Sequence, residues 1–357
     1  MKRLPLAAVL AAFFIFLVMA VSVRQGVLLL VGVGMGAVLA GARFGFTTGW
    51  RQLIEQRNPQ GVVGQVLLLA LASLAAIPLL GQFSELHAAL GPPSISLLVG
   101  AFVFGLTMQI ADGCGSGTLY KAGLGVPLNM GILPLFAAGS FLGSVHLDKW
   151  LALGQTEPVS LSASLGTGPA LGLTLVLLAA ALVLVRLWVG AGRNWIDKRW
   201  IWGAIGLAAL ATINLVLAGQ PWGVVYGFGL WGAKAATSLG LFDPAANAFW
   251  SQAGNAQRLT QTVLLDVTTI TNLGILGGAL WVSARAGNDS KPLTARQWMI
   301  GLVAGFLLGY SSRLAFGCNV GAMVSGISTG SLHGWLWVPL AFAGTLIGVR
   351  VRRHYQF

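Results

Sequence analysis

Long uncharged apolar runs, separated by short polar or glycine-rich stretches, recur from one end of the chain to the other. A helix rises 1.5 Å per residue, so about 20 apolar residues cross roughly 30 Å of hydrocarbon. Runs of that kind cover 4–23, 26–42, 60–84, 88–111, 122–147, 158–185, 200–233, 259–283, 297–312 and 314–349, which predicts ten crossings. Several runs are too long for one helix, so extra structure must be folded into them. Four segments, 43–59, 113–129, 219–241 and 316–334, are rich in Gly or polar residues and adjoin a full span. None makes a good lipid-facing helix. Irregular backbone at membrane depth survives only where protein or a water-lined cavity satisfies it, so these four are predicted to be re-entrant half-helices lining the centre.

Composition agrees with that pattern. Apolar residues make up 56% of the chain, charged residues 8%, and the mean hydropathy is +0.81, a balance that a water-soluble surface does not carry. The net charge of +12 invites a nucleic-acid reading, and its placement excludes one. Arg186, Arg193, Lys198 and Arg199 share one loop, Arg285, Lys291 and Arg296 another, and Arg350, Arg352 and Arg353 the C-terminus. The positive-inside rule makes all three cytoplasmic, as it does Lys2 and Arg3. With 85–93 and 148–157 outside, ten spans satisfy every loop if the four segments enter and leave on one side. The first run could also be read as a signal peptide, but no small-residue cleavage site ends it and membrane sequence follows at once, so a retained span is expected.

The expected fold is therefore an all-α integral membrane protein of about ten transmembrane helices plus four re-entrant half-helices, arranged as an inverted pseudo-two-fold repeat. Its parts are an extra N-terminal helix over 1–24, a first repeat over 25–147, a linker with one transmembrane helix over 148–199, and a second repeat over 200–357. Internal sequence supports a duplication. Gly113-Cys114-Gly115-Ser116-Gly117 is echoed by Gly317-Cys318-Asn319-Val320-Gly321, and these hold the only two cysteines. The same spacing of 204 residues relates Gly105 to Gly309, and one residue of slippage relates Pro134 to Pro339, Gly139 to Gly344 and Gly143 to Gly348. A weaker match pairs Phe44-Gly45-Phe46 with Tyr226-Gly227-Phe228. Inverted repeats with interrupted helices are the habit of transporters, whose half-helix N-termini face a site near the midplane.

Two cysteines far apart in apolar sequence give neither a disulfide framework nor metal spacing, and the expectation is free thiols. A buried cysteine is commonly a small hydrophobe. The flanking glycines, Gly113 and Gly317 among them, favour a substrate-contacting role instead, because they permit close backbone approach and expose N–H groups at a half-helix start. Charge inside a membrane is expensive and usually functional. The candidates are Lys121, Lys234, Arg313, Asp112 and Asp266. Lys121 lies seven residues, about two turns, after Cys114 and is expected to add positive charge on the thiol's side; Arg313, at the outer end of a span, can equally snorkel to the interface. Asp266 is a further candidate, as a proton relay. His87, His146, His333 and His354 lack ligand spacing, Gly32-Val33-Gly34-Met35-Gly36 reads as helix packing rather than a dinucleotide site, and no cofactor is expected.

At these residues the chain resembles the YeeE/YedE family of bacterial sulfur-compound transporters. The likeness covers most of the chain and rests on Arg43-Phe44-x-Phe46-Thr47, Gly113-Cys114-x-x-Gly117-Thr118-x-Tyr120-Lys121-Ala122-Gly123, Pro221-Trp222-Gly223-Val224, Gly227-Phe228 with Trp231-Gly232-Ala233-Lys234, and Gly317-Cys318-x-x-Gly321. The resemblance implies an hourglass-like helical protein of the bacterial inner membrane whose half-helices meet at a narrow centre and whose thiols pass an anion such as thiosulfate along. Members with the full pattern carry a cysteine where this chain has Gly45, so two of three thiols remain.

Thiosulfate is a dianion with one soft terminal sulfur. Half-helix N-termini with Lys121 and Lys234 would supply positive potential, backbone N–H groups and the hydroxyls of Ser116, Thr118, Thr47 and Thr48 would replace water, and neutral Cys114 and Cys318 thiols would suit the soft sulfur. Gly45, Gly113, Gly317 and Asn319 complete the expected substrate-binding set. A selenium or sulfite-like anion is the nearest alternative substrate. A membrane sulfurtransferase taking sulfur onto Cys114 is the competitor from another class, and transport rather than catalysis is expected. Expected partners are the inorganic sulfur anion and membrane lipid; a cytoplasmic sulfur-carrier protein is a further candidate to which no residue points, and no nucleic acid is expected.

Overall fold

The computed structural model describes residues 3–284 and 292–357. Lys2, Arg285 and Lys291 of the basic loops lie outside the described residues. In chain order the helices are α1 (Arg3–Ala20), α2 (Val23–Gly41), α3 (Phe46–Gln56), α4 (Gln60–Gln82), α5 (Ile95–Ile110), α6 (Gly115–Gly123), α7 (Pro127–Val145), α8 (Leu147–Leu151), α9 (Leu161–Leu165), α10 (Thr167–Val189), α11 (Lys198–Ala218), α12 (Val225–Ser238), α13 (Ala253–Thr260), α14 (Val267–Ser283), α15 (Ala295–Leu314), α16 (Gly326–Ser328) and α17 (Leu332–His354). A π-helical stretch, Asn319–Ser325, leads into α16. The described residues form no β-strand. Eight helical stretches are long and apolar enough to cross a membrane, and two shorter apolar helices, Leu4–Ala20 and Val267–Ser283, accompany them. This is an all-α integral membrane protein.

Local sequence marks the helix boundaries. Ser22 and Ser94 cap α2 and α5 through the N–H groups of Gln25 and Leu97, and Thr294 with Gln297 forms a capping box at the start of α15. The four segments expected to be re-entrant contain the short helices α3, α6 and α12 and the π-helical stretch with α16. The runs at 200–233 and 314–349 are accordingly split, with α11 ending at Ala218 and α15 at Leu314.

Small residues set the packing. Gly32 and Gly36 of α2 lie against the backbone of Thr271 and Ile275 in α14, and Gly274 and Gly278 of α14 lie against Leu29 and Val33 of α2, so neither helix has room for a Cβ there. The glycines of the 204-residue echo behave as matched sets. A Cβ on Gly105 would strike the Ala341 carbonyl and one on Gly309 the Phe136 carbonyl. Gly139 faces Phe306 and Tyr310, while Gly344 faces Phe102 and Leu106; Gly143 then faces Tyr310 and Gly348 faces Leu106. Thus α5 packs on α17 as α15 packs on α7, residue for residue. Helices α2 with α14 and α4 with α11 form another exchanged pair of contacts.

Directions follow from the hydrogen bonds. Ser96 near the start of α5 donates to Leu314 O at the end of α15, so these two helices run antiparallel. Arg352 near the end of α17 donates to Gln109 O near the end of α5, and Gln297 at the start of α15 reaches Tyr355 O beyond the end of α17. One face of the molecule therefore carries the C-terminus with the ends of α5 and α17. The other carries the ends of α7 and α15, joined there by a hydrogen bond from Trp150 Nε1 to Tyr310 Oη and another between His146 Nδ1 and the same hydroxyl. Helix α10 packs on α4 at the periphery and buries the smallest share of any candidate span.

Candidate functional site

Three long helices end in the same turn. After α2, α5 and α15 the chain passes through a left-handed residue, Arg43 (φ 50°), Asp112 (φ 53°) and Phe316 (φ 57°). The next N–H then reaches back five residues, from Phe44 to Leu39 O, Gly113 to Met108 O and Gly317 to Ser312 O, at 2.9, 3.0 and 2.9 Å. One residue later come Gly45, Cys114 and Cys318, each the N-cap of a short helical segment. Gly45 therefore occupies in its turn the place that the thiols occupy in theirs. The fourth turn differs: α11 ends at left-handed Gly219 and Val224 caps α12, so Gly227 lies inside α12 and is no counterpart of Gly45.

These starts converge. Cys114 and Cys318 are fully buried free thiols. Cys114 Sγ accepts from Gly117 N at 3.4 Å and meets Ser116 Oγ at 3.4 Å. Cys318 Sγ takes no capping hydrogen bond in its own turn and lies against Gly115 of the other. A Cβ on Gly115 would stand 3.0 Å from Cys318 Sγ and 3.6 Å from a Val224 methyl. The first turns of α6, α12 and the π-helical stretch thus meet at one buried point, and the positive ends of their peptide dipoles meet with them. Gly45 approaches from the side of α6, where its Cβ would lie 3.3 Å from Tyr120 Oη.

Several expected residues carry unspent hydrogen-bonding capacity. Thr47 Oγ1, Thr118 Oγ1 and both amide atoms of Asn319 are buried without a hydrogen-bond partner among the described residues. Buried polar groups are nearly always paired, so such a concentration near two thiols is chemically meaningful. Sequence reasoning missed further members. Gln109 donates to Thr47 O yet leaves its Oε1 unpartnered, and Asn272 donates to Val224 O, the cap of α12, with its Oδ1 likewise free of partners. Both are polar residues within otherwise apolar helices, a signal available in the sequence. Ser116, in contrast, is spent on Cys114.

The cations are arranged differently from expectation. Lys121 bonds to Asp112 at 2.6 Å, and Arg51 and Arg352 reach the same carboxylate at 2.8 and 3.3 Å. Lys121 is thus held at the C-terminal face in a cluster of three cations and one carboxylate, its ammonium spent on Asp112. Lys234, placed in the expected binding set, lies in the third turn of α12 and donates to the carbonyls of Leu259 and Gln261, at 2.6 and 2.5 Å. It braces the end of α13, well along the helix from Val224. Asp266 caps α14, its Oδ2 accepting from Thr269 N and Oγ1 at 2.7 and 2.8 Å, which gives it a structural task. Among the described residues no three His, Cys, Asp or Glu side chains converge as metal ligands.

A family model described as sulphur transport matches residues 41–347, which includes every turn described above. The thiosulfate transporter TsuA of Spirochaeta thermophila is 28% identical over 330 residues, covering 86% of this chain and 93% of that protein. TsuA of Escherichia coli is 24% identical over 364 residues, with 91% and 95% covered. The probable transporter YedE of Escherichia coli is 26% identical over 167 residues, 46% of this chain and 40% of YedE.

Proposed function

This chain belongs to the sulphur transport family, and from that premise we propose that it takes up thiosulfate across the bacterial inner membrane through a constriction lined by Cys114 and Cys318. The observation that carries the reading is the meeting of the two turns that hold the buried thiols, 204 residues apart in sequence, where a Cβ on Gly115, the residue after Cys114, would stand 3.0 Å from Cys318 Sγ. In this reading 25–147 and 200–357 are inverted repeats, 1–24 is an added helix, 148–199 is the linker, and both termini are cytoplasmic.

A dianion leaving water needs donors that do not bind it tightly. Three half-helix N-termini supply a positive field without a full charge. The hydroxyls of Thr47 and Thr118 and the amide of Asn319 replace part of the hydration shell, and the thiols, weak and polarisable donors, meet the terminal sulfur. Sulfate offers no such soft atom, so the thiols favour thiosulfate over it. The Asp112 cluster keeps a net positive charge at the cytoplasmic mouth while its carboxylate prevents the three cations from trapping the anion.

The test is uptake of labelled thiosulfate into vesicles of purified protein, together with growth of a sulfur-uptake-deficient bacterium on each sulfur source in turn. Saturable thiosulfate uptake is expected, with labelled sulfate itself carried far more slowly. Uptake of sulfite or selenite in place of thiosulfate would transfer the reading to those anions, and a stable persulfide on Cys114 during turnover would replace transport by covalent sulfur transfer.

A further inference from the structure

On the face opposite the C-terminus, two arginines converge on one tyrosine. The Arg313 guanidinium carbon lies 5.7 Å from the Tyr226 ring centre and 4.8 Å from that of Phe249, and the Arg258 guanidinium carbon lies 4.9 Å from Tyr226. Neither arginine forms an ion pair among the described residues. Arg313 also makes no hydrogen bond there, and its Nε is buried without a partner. Asp266, whose carboxylate feels the Arg258 charge, forms no ion pair with it and has its Oδ2 engaged by Thr269. Tyr226 Oη donates to Asn255 Oδ1, and Asn255 in turn donates to Phe249 O, so the ring that both cations meet is fixed.

Rings orient a guanidinium but do not neutralise it, and two cations sharing one ring repel each other in a low-dielectric setting. The Asp112 cluster on the other face has a carboxylate for its cations. This one has none in contact. We infer that Arg313 and Arg258 form an anion-capture site for a small divalent oxoanion, set one turn of α12 from the buried meeting point of the half-helices. Tyr226 is two residues beyond Val224, the residue that approaches Gly115. The pair supplies two positive charges for a dianion, and guanidinium forks fit oxoanion edges. The inference rests on the transport reading for its purpose but not for its test.

Labelled sulfate is the probe, because the proposed thiol contacts give it no advantage at the centre. Binding to the detergent-purified full chain is measured for wild type, Arg313→Gln, Arg313→Lys, Arg258→Gln and Arg57→Gln; Arg57 lies over Trp188, away from this cluster. Expected are saturable binding by wild type and Arg57→Gln, at least about tenfold weaker binding by Arg313→Gln, a smaller loss for Arg258→Gln, and partial recovery with Arg313→Lys. In vesicles the same variants should raise the external KM for thiosulfate. Equal sulfate affinity across the set, or no saturable binding by wild type, overturns the site. If Arg313→Gln does not fold, Arg258→Gln on the half-exposed α13 decides the matter. Arginine-dependent sulfate binding by a protein that moves no sulfur anion would overturn the proposed function and leave the site standing; normal uptake with unchanged KM in both Gln variants would do the reverse.

Discussion

Cys114 opens an α-helix and caps it with its own sulfur by taking the Gly117 N–H, whereas Cys318 opens a π-helical stretch that its sulfur does not cap, and that sulfur lies against Gly115 of the other turn. The residue after Cys114 is Gly115, which brings only backbone; the residue after Cys318 is Asn319, whose amide is buried with both ends unpartnered. One turn is thus largely satisfied from within, and the other leaves polarity unspent. π-Helical insertions often mark functional positions because the wider turn redirects side chains and backbone groups. The pair of turns shares a plan in its helix ends and divides the labour after them.

The largest effect is expected where the shared plan is tightest. Gly317 has φ +152° and a Cβ there would lie 2.5 Å from Ala322 N, while Gly113 has no such φ and a Cβ would lie 2.8 Å from Thr118 N. Gly317→Ala should cost on the order of 3 kcal/mol or more and yield little monodisperse protein. Gly113→Ala should be damaging but recoverable. Size-exclusion profiles and thermal midpoints of the two variants compare them directly, and equal tolerance would show that the Cys318 turn is not the more constrained.

The thiols come next. Cys114→Ala and Cys318→Ala are each expected to lower thiosulfate uptake by at least about tenfold, about 1.4 kcal/mol, while the protein still reaches the membrane, since a path in series fails at either step. Serine separates structure from transport. Its hydroxyl can accept the Gly117 N–H, so Cys114→Ser should recover the stability lost in Cys114→Ala without recovering selectivity over sulfate. Uptake that is restored in full by Cys114→Ser would reduce that sulfur to a helix cap.

Asn319→Leu tests the unspent side. Removing a buried amide that has no partner should raise stability in anion-free buffer by about 1 kcal/mol, and uptake should fall several-fold. Stability and activity moving together would mean that Asn319 has a structural partner. Opposite movement is the signature of a group kept for a ligand.

Much of this was legible in the sequence, for reasons that also explain what was not. Ten apolar helices follow from run length, and the half-helices follow from glycine and polar residues in places no lipid-facing helix tolerates. The 204-residue echo anticipated matched packing because its glycines are where two helices touch. Lys121 was legible as a buried cation but its partners were not: Arg51 comes from α3 and Arg352 from α17, brought to Asp112 only by tertiary structure. Lys234 misled because its partners are backbone carbonyls, which leave no trace in side-chain pattern. The Gly45 and Gly227 match was coincidence of composition, since α12 starts two residues before Gly227 and α3 one residue after Gly45. Arg313 looked fit for snorkelling because its aromatic partners lie on other elements.

Gly45 offers the smallest expected effect and the finest test of the comparison, since it stands where a third thiol would stand. Its φ is −106°, in a region open to any residue, so a side chain there meets no backbone penalty. A Cβ would lie 2.9 Å from Thr48 Oγ1 and 3.3 Å from Tyr120 Oη. Both are side-chain ends, and Thr48 can yield by rotating about χ1. Gly45→Cys should therefore fold with at most about 1 kcal/mol lost to that rotamer change. Its sulfur would lie on the C-terminal-face side of Cys114, beside Tyr120, in line for an anion that has passed both native thiols. Vesicle uptake of thiosulfate should then be equal to wild type or up to about threefold faster, an effect of well under 1 kcal/mol. The Thr48→Ala background separates crowding from chemistry: if Gly45→Cys slows uptake alone but not with Thr48→Ala, steric pressure is the cause. Slower uptake in both backgrounds would mean that a thiol at this turn obstructs the path, and that the glycine is part of how this chain works with two thiols.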